Sequence, residues 1–203
     1  MRDEKRFWDR FSHIYTKFVS DSDRTYDEAA ALIAPYIEPG MRVLELACGT
    51  GQFTLRLASL ACEWYATDFS AAMLRRAERR AGGRGAAFGV ADAYNLALPD
   101  ASFDAVLIGN ALHIMPEPER AAASIRRVLK PGGLLFAPTF VRSGVPANAA
   151  HIRFIRALGL RVYNNFDAAS LREWLTGQGF ELIESEIAGG ERKPMCCAIA
   201  RLR

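Results

Sequence analysis

Three acidic residues lie in or at the ends of three successive apolar segments. Glu45 lies in "RVLELAC", Asp68 ends "CEWYATD" and Asp92 ends "AAFGVAD". Because parallel strands place their carboxyl ends at one edge of a sheet, strands in these segments would bring the three carboxylates to one ligand site. A carboxylate at such a site can bind a cationic amine, the two hydroxyls of a ribose or the exocyclic amine of adenine.

A glycine-rich turn follows the first of these segments. Gly49 and Gly51 in "VLELACGTGQFT" place backbone N–H groups and the positive end of a helix next to a ligand. The dinucleotide fingerprint has a third glycine three residues further on, where this chain has Thr54. Glu45 would also repel a pyrophosphate bound at this turn. Both observations argue against NAD, which stays the weaker alternative.

The order of the three carboxylates predicts the ligand. Glu45 suits a cationic amine, Asp68 can accept hydrogen bonds from both ribose hydroxyls, and Asp92 can accept one from the amine of adenine. An amine, a ribose and an adenine in this order describe S-adenosylmethionine.

Five apolar runs alternate with amphipathic helical segments and predict a parallel, doubly wound α/β sheet. The runs are nearly continuous in apolar residues, as in strands that are buried on both faces. Pro138 lacks a backbone N–H and is expected to mark the end of the fifth strand. The predicted strands are Arg42–Cys48, Cys62–Asp68, Ala86–Asp92, Phe103–Asn110 and Leu134–Phe140.

Helix signals separate these strands. Ser70 is expected to be the N-cap of a helix that ends at the Gly82-Gly83 pair. Pro118 opens another helix, which "KPGG" terminates.

The last third of the chain predicts a different arrangement. A helix is expected from about Ala149 to Leu158, and Asp167 caps another helix that runs to "GQGF". Two strand-like runs follow, Phe180–Ala188 and Met195–Leu202, and the turn between them is short enough for an antiparallel hairpin.

Aromatic residues recur at roughly helical spacing near the start of the chain, where two helices are predicted in "WDRFSHIY" and "TYDEAAALIAPYI". This aromatic stripe is either a face that packs on the body of the protein, the favoured interpretation, or a lid over the ligand. Its members are Phe7, Trp8, Phe11, Tyr15 and Phe18.

Four motifs together resemble the class I S-adenosylmethionine-dependent methyltransferases. They are "VLELACGTGQFT", "ATDFSAAML", "ADAYNLALPDASFDAVLIGNALHIM" and "RRVLKPGGLL", and they cover roughly Met41 to Phe140. The chain looks most similar to the small-molecule branch that includes the quinone-biosynthesis C-methyltransferases. The resemblance implies a Rossmann-like seven-stranded sheet of order 3-2-1-4-5-7-6, with strand 7 antiparallel, helices on both faces and an N-terminal helical lid.

The resemblance also assigns cofactor-binding residues. Those at the methionine end are Glu45, Ala47, Cys48, Gly49 and Gly51. Asp68 would bind the ribose hydroxyls, while the residues beside the adenine are Phe69, Met73, Asp92 and Ala93. Asn110 would lie near the sulfonium, and Tyr15 would close over the cofactor. Ala47 departs from the family, which commonly has Gly at this position.

Methyl transfer from a sulfonium is an in-line displacement that depends on positioning and a dry pocket. An acceptor that loses a proton would call for a base, and His113, just after the fourth predicted strand, is the leading candidate. The alternative is that His113 packs the crevice wall or orients the substrate. Thr139, Phe140 and Tyr163 are further candidates for contact with the acceptor.

Length and charge restrict the remaining interpretations. The chain has 203 residues and a net charge of +3, which favours one domain and gives no support for a nucleic-acid partner. We expect a lid at 1–38, a cofactor-binding core at 39–140 and substrate-side helices with a terminal hairpin at 141–203. The acceptor is expected to be a small, apolar or aromatic molecule, and the protein a monomer or a homodimer.

Cysteine spacing and hydropathy restrict the cellular compartment in which we expect the protein. The four cysteines lack metal-ligand spacing, so we expect reduced cysteines, no metal and a cytoplasmic protein. The first residues lack the apolar core of a secretory signal, and no stretch approaches the roughly 20 apolar residues of a membrane span. Two alternatives stay open: a non-catalytic module that binds S-adenosylmethionine and regulates a partner, and a nicotinamide-dependent oxidoreductase.

Overall fold

The computed structural model describes residues 6–12, 23–83, 85–142, 161–191 and 193–203. Seven strands in these ranges form one sheet. They are β1 (Arg42–Leu46), β2 (Glu63–Asp68), β3 (Ala87–Val90), β4 (Phe103–Ile108), β5 (Leu129–Phe140), β6 (Phe180–Ala188) and β7 (Met195–Leu202). Their order is β3-β2-β1-β4-β5-β7-β6, and β7 runs antiparallel to both of its neighbours. The predicted strand order is confirmed.

Six α-helices accompany the sheet in the described ranges, with short 3-10 helices at Ala34–Tyr36, Ala58–Leu60 and Leu112–Ile114. The α-helices are α1 (residues 6–12), α2 (Asp23–Ile33), α3 (Thr54–Leu57), α4 (Ala71–Ala81), α5 (Pro118–Val128) and α6 (Ala168–Gly177). The helix predicted near 149–158 lies outside the described residues.

Local capping chemistry explains where two of the helices begin. The Ser70 hydroxyl accepts a hydrogen bond from the Met73 N–H at 3.2 Å, which caps α4 as predicted. The Asp167 carboxylate accepts one from the Ser170 N–H at 2.8 Å, and the Ser170 hydroxyl accepts one from the Asp167 N–H at 2.9 Å. This capping box starts α6.

Apolar side chains cover both faces of the sheet. Residues of α2, α3 and α4 pack in one buried cluster, whereas residues of α5 and α6 pack in the other. The adjacent Cys196 and Cys197 belong to opposite clusters, as the alternation of side chains along a strand requires. The doubly wound architecture with helices on both faces is therefore confirmed.

Two predictions about the strands are wrong. β3 is not buried on both faces, because it lies at the edge of the sheet and Val90 is 61% exposed. Pro138 does not end β5, which continues to Phe140. The Pro138 carbonyl accepts a hydrogen bond from the Asn110 N–H at 2.8 Å, so the polar groups of Pro138 face the β4 side of the sheet and not β7. Only the single bond that an N–H at this position would donate is missing, at the point where β4 itself ends, and β5 continues past it.

Helix α2 docks on the turn between β6 and β7 through a close approach of backbone to side chain. The Glu28 carboxylate accepts a hydrogen bond from the Gly189 N–H at 2.7 Å. Gly189 has a φ of +80°, and a Cβ at this residue would lie 2.7 Å from the Thr25 hydroxyl oxygen. Only glycine meets both conditions without strain.

We predict that Gly189→Ala lowers the free energy of unfolding by roughly 2 kcal/mol, because it combines a left-handed alanine with a clash against α2. Gly190→Ala is the matched control, since a Cβ at Gly190 would meet nothing within 4 Å. Urea denaturation of both variants checks this expectation. Equal stability of the two variants would contradict the account of α2 docking.

Candidate functional site

One cavity, partly open to solvent, lies at the carboxyl ends of β1 to β4. This is the edge at which open α/β sheets bind ligands. The residues that line this central cavity are Trp8, Ala47, Gly49, Asp68, Phe69, Met73, Ala91, Asp92, Ala93, Tyr94, Gly109, Asn110, Ala111, Ile114, Met115 and Pro116.

Asp68 ends β2 and faces the central cavity with a fixed carboxylate. Its Oδ2 accepts a hydrogen bond from the Gly49 N–H at 2.9 Å, and its Oδ1 accepts one from the Ser70 N–H at 2.8 Å. Burial raises the pKa of Asp68 to about 6, although these N–H groups favour the ionised form. Because a carboxylate has about four lone-pair sites, both oxygens can still accept from a ligand's hydroxyls.

The turn after β1 brings backbone close to the ligand space. Gly49 lines the cavity with a φ of 57°, and Ala47 lines it with a φ of 52°. An alanine in this left-handed region costs about 1 kcal/mol relative to glycine. Gly51 does not line the cavity: its φ is +83°, and a Cβ there would lie 3.3 Å from the Ala77 Cβ in α4. Gly51 therefore allows the turn to pack closely against α4. Cys48 is buried and does not line the cavity.

Glu45 is buried beneath the turn and does not line the cavity. Side chains alternate along β1, so Glu45 shares a face with Val43, in the layer of α2, α3 and α4. Its Oε2 accepts hydrogen bonds from the Thr54 hydroxyl at 2.6 Å and the Trp64 indole N–H at 2.8 Å. Burial raises the pKa of Glu45 to about 7. Direct contact of Glu45 with a ligand amine stays a prediction.

Asp92 and Ala93 line the cavity just beyond the end of β3. The Asp92 carboxylate accepts a hydrogen bond from the Tyr94 N–H at 2.9 Å, which holds the turn that follows β3. Phe69 and Met73 line the same cavity. The structure thus brings the residues predicted for the ribose and the adenine together around one space.

Asn110 follows β4 in a left-handed conformation with a φ of 53°. Its Nδ2 donates to the Tyr26 hydroxyl at 2.9 Å, and its Oδ1 accepts from the Phe140 N–H at 2.9 Å. Helix α2 and strand β5 therefore fix this side chain at the cavity wall. Asparagine tolerates this backbone conformation better than most residues.

His113 lies in the 3-10 helix Leu112–Ile114 and is not on the cavity wall. Burial lowers the pKa of His113 to about 4, so its side chain is neutral at physiological pH. Its buried Nδ1 has no hydrogen-bond partner among the residues that the structure describes. The His113 and Phe140 rings meet edge to face, with centroids 6.5 Å apart.

The other predicted acceptor residues also lie off the cavity wall. Thr139 is fully buried, and its hydroxyl donates to the Ala137 carbonyl at 3.2 Å. Phe140 is half-buried between the Tyr26 and His113 rings. Tyr163 is 42% exposed, and its N–H donates to the His113 carbonyl at 3.0 Å. Tyr15 lies outside the described residues.

Three residues outside the predicted set of site residues contribute to the site. Trp8 lines the cavity, although the aromatic stripe of the first helix was expected chiefly to pack on the body of the protein. Tyr26 holds Asn110, and Ser70 holds Asp68 in addition to capping α4. Ser70 was found through its capping position, whereas nothing in the local pattern singles out Tyr26.

The polar and apolar groups of the cavity wall fit S-adenosylmethionine. Asp68 and Asp92 are the charged residues among the described residues of the cavity wall, and both are acceptors suited to ribose hydroxyls and an adenine amine. Phe69, Met73 and Trp8 add apolar and aromatic surface for a purine ring.

Neither a metal-ligand cluster nor a membrane-spanning helix is present within the described ranges. No group of three or more His, Cys, Asp and Glu side chains there is arranged to hold a metal ion. No helix of that part of the chain has the length and apolar character needed to cross a bilayer.

Known proteins are similar to this chain in sequence or in fold. A family model described as "Methyltransferase domain" matches residues 44–137. The ubiquinone/menaquinone biosynthesis C-methyltransferase of Bordetella avium is 38% identical over 145 residues, which are 67% of this chain and 56% of that protein. The chain spans about half the length of the curated relatives that it matches.

Two solved structures are similar to this chain in overall fold. The [4+2]-cyclase SpnF has a TM-score of 0.69 and 26% identity, over 87% of this chain and 81% of that one. An S-adenosylmethionine-dependent methyltransferase from Aquifex aeolicus has a TM-score of 0.74 and 16% identity, over 95% of this chain and 98% of that one.

We predict that Glu45→Gln stabilises the ligand-free protein at pH 8 by an amount on the order of 2 kcal/mol. The pKa of Glu45 is raised above its unfolded value, so its contribution to stability is present below about pH 4.5 and is lost as the pH rises through 7. Glutamine keeps an acceptor for Thr54 and Trp64 without the buried charge.

Urea denaturation at pH 4.5 and pH 8 measures this difference. The gain should appear at pH 8 and vanish at pH 4.5. Glu63→Gln, which changes an exposed partner of Arg42, should show no such pH dependence. A Glu45→Gln protein that is less stable than the parent at pH 8 would refute the buried-charge account.

Proposed function

We propose that this chain, which is similar in sequence to S-adenosylmethionine-dependent methyltransferases of class I, transfers a methyl group from S-adenosylmethionine to a small, neutral, apolar or aromatic acceptor. The observation that carries the proposal is the fixed carboxylate of Asp68 at the cavity. Its carboxylate is fixed by two backbone N–H groups at the edge of a cavity that also contains Asp92 and an apolar wall.

The residues of this chain would divide the work between binding and exclusion of water. Asp68 and Asp92 would hold the ribose and the adenine amine, while the N–H groups and short side chains of the turn at Ala47 to Gly49 would receive the methionine end. When bound, the cofactor supplies a methyl group activated by a sulfonium. Positioning of the acceptor in a dry cavity then accounts for much of the acceleration, and no nucleophilic side chain is required.

The proposed class of acceptor rests on the uncharged part of the cavity wall that follows β4. Beyond Asn110 the wall is formed by Ala111, Ile114, Met115 and Pro116, none of which carries a charge. Desolvation of a charged acceptor against this wall would be costly, whereas a neutral ring would gain from burial of its apolar surface. The quinone-biosynthesis relatives support a quinol-like aromatic acceptor in the proposal.

We also propose that the reaction takes place in a reducing compartment. All four cysteines are free thiols, and three of them are buried in the core, which supports a reducing compartment such as the cytosol. The modest net charge of +3 supports a small-molecule acceptor over a nucleic acid.

The competing function is binding of the cofactor without methyl transfer. The similarity to a structure whose name is that of a [4+2]-cyclase favours this second candidate, because that protein shares the fold and carries a different activity in its name. Both candidates require the same cofactor site, so the product of the reaction separates them.

Calorimetry with S-adenosylhomocysteine and a screen with methyl-labelled S-adenosylmethionine test the proposal together. The screen offers quinols, phenols, thiols and amines, and we expect a labelled product from the aromatic hydroxyl compounds. Binding without any labelled product would favour the cofactor-binding module. Absence of binding, or binding of NADH in its place, would overturn the methyltransferase proposal.

We predict that Asp68→Asn weakens the binding of S-adenosylhomocysteine at least tenfold, because charge-assisted hydrogen bonds to two hydroxyls are weakened. The matched control is Asp100→Asn, which changes an exposed carboxylate paired with Arg127 and should bind normally. Thermal unfolding confirms that both variants fold. An unchanged dissociation constant for folded Asp68→Asn would refute the ribose assignment.

We propose that the His113 Nδ1 accepts a hydrogen bond from the methyl acceptor as a neutral group. Because this nitrogen is buried and does not line the cavity, the proposal requires the 3-10 helix Leu112–Ile114 to shift when the acceptor binds. A histidine whose pKa is about 4 stays neutral from pH 5.5 to pH 8, so turnover should show no step near pH 6.5 from this residue. We predict that His113→Phe lowers turnover at least tenfold with unchanged affinity for S-adenosylhomocysteine, and that His113→Gln retains more activity.

The pH profile of turnover decides between this role and general base catalysis. A step near pH 6.5 that disappears in His113→Gln would identify an ordinary titrating histidine. Normal turnover of His113→Phe would remove His113 from the acceptor site.

A further inference from the structure

Helix α1 reaches the central cavity from outside the sheet. Trp8 of α1 lines the cavity together with Phe69 and Met73, the residues that follow β2. No strand or crossover helix of the sheet supplies this side chain. An aromatic ring in this position offers stacking surface to a purine or to the ribose beside it.

The ring of Trp8 is held by other aromatic residues of its own helix. Trp8 meets Phe7 edge to face with centroids 5.2 Å apart, and it meets Phe11 edge to face at 5.9 Å. Phe11 is buried, whereas Arg10 on the same helix is exposed. Phe7, Trp8 and Phe11, the described members of the aromatic stripe, therefore pack against one another while Trp8 also lines the cavity.

A hydrogen bond connects α1 to the residues that fix Asp68. The Ser70 hydroxyl donates to the Asp9 Oδ1 at 2.6 Å, and the Ser70 N–H donates to the Asp68 Oδ1 at 2.8 Å. Ser70 thus joins a carboxylate of α1 to the carboxylate at the end of β2. This bond is charge-assisted and partly buried, so it is stronger than a neutral one.

The same contact places two acidic groups near each other. Burial is the main cause of the raised pKa of Asp68, and the nearby Asp9 carboxylate raises it further. The repulsion opposes the attachment of α1, whereas the Ser70 bond favours it. Two opposing interactions, the repulsion between the carboxylates and the Ser70 hydrogen bond, therefore determine whether α1 is attached. A ligand that contacts both α1 and Asp68 would shift the helix toward the attached state.

On the basis of the proposed function, we propose that Trp8 binds the adenosine portion of the cofactor and that Asp9 is a positioning residue that holds α1 against Ser70. In this arrangement α1 covers the bound cofactor, and the Asp9–Ser70 bond must open before the cofactor or its product leaves. Trp8 governs affinity through direct contact, and Asp9 governs the rate of exchange.

Tryptophan fluorescence tests the contact of Trp8 with the ligand. The chain has three tryptophans, Trp8, Trp64 and Trp174. We expect S-adenosylhomocysteine to change the emission of the parent protein, and we expect most of this change to be lost in Trp8→Phe. Trp8→Ala should raise the dissociation constant about tenfold, and Trp8→Phe should raise it less because it keeps an aromatic face.

Stopped-flow displacement of S-adenosylhomocysteine tests the role of Asp9. Asp9→Ala removes the acceptor for Ser70 and should raise the dissociation rate about tenfold. Arg10→Ala, on the exposed side of the same helix, is the matched control and should leave the rate unchanged. Thermal unfolding without ligand should be similar in the two variants.

The outcomes separate the inference from the function on which it rests. Normal affinity of Trp8→Ala, a full fluorescence change in Trp8→Phe, or an unchanged dissociation rate in Asp9→Ala would overturn the inference for that residue. Failure of the parent protein to bind S-adenosylhomocysteine by calorimetry would instead overturn the proposed function.

Discussion

The carboxylate of Asp68 is the contact on which the arrangement of the site depends. It accepts hydrogen bonds from the turn after β1 and from the N-terminal end of α4, so it ties together two βα connections that are not adjacent in sequence. Ser70 extends this link to α1 through Asp9. Because both Asp68 oxygens are fixed by backbone donors, the site is ordered before any ligand arrives and less entropy is lost on binding.

This order has an electrostatic cost in the ligand-free protein. Burial raises the pKa of Asp68 to about 6 and that of Glu45 to about 7, and each carboxylate is disfavoured further by a neighbouring acid. At neutral pH the protein therefore holds negative charge in a region of low polarity. A cationic ligand relieves part of this cost, which a neutral nucleoside cannot do, and this difference gives selectivity for a ligand that carries positive charge.

The features predicted correctly from the sequence are those set by local rules. Apolar runs, the Ser70 and Asp167 caps and the position of Asp68 at a strand end follow from spacing along a single segment. The features that were missed depend on distant partners. Pro138 fits inside β5 because β4 ends beside it. Glu45 points toward α3 because it lies on the same face of β1 as Val43. Trp8 reaches the cavity because α1 docks beside it. No pattern within one segment encodes such pairings.

The two halves of the cavity are supported by different parts of the chain. Asp68, Asp92 and the first turn lie at the ends of central and edge strands, whose register is set by the sheet. Asn110 instead depends on Tyr26 of α2, and α2 depends on the Gly189 turn of the terminal hairpin. Substitutions in α2, the hairpin or the 3-10 helix at Leu112–Ile114 would therefore reshape the part of the cavity proposed for the acceptor, while the part proposed for adenosine would keep its geometry. Such a division would let one cofactor site serve acceptors of different shape, with specificity set by elements that the sheet does not fix.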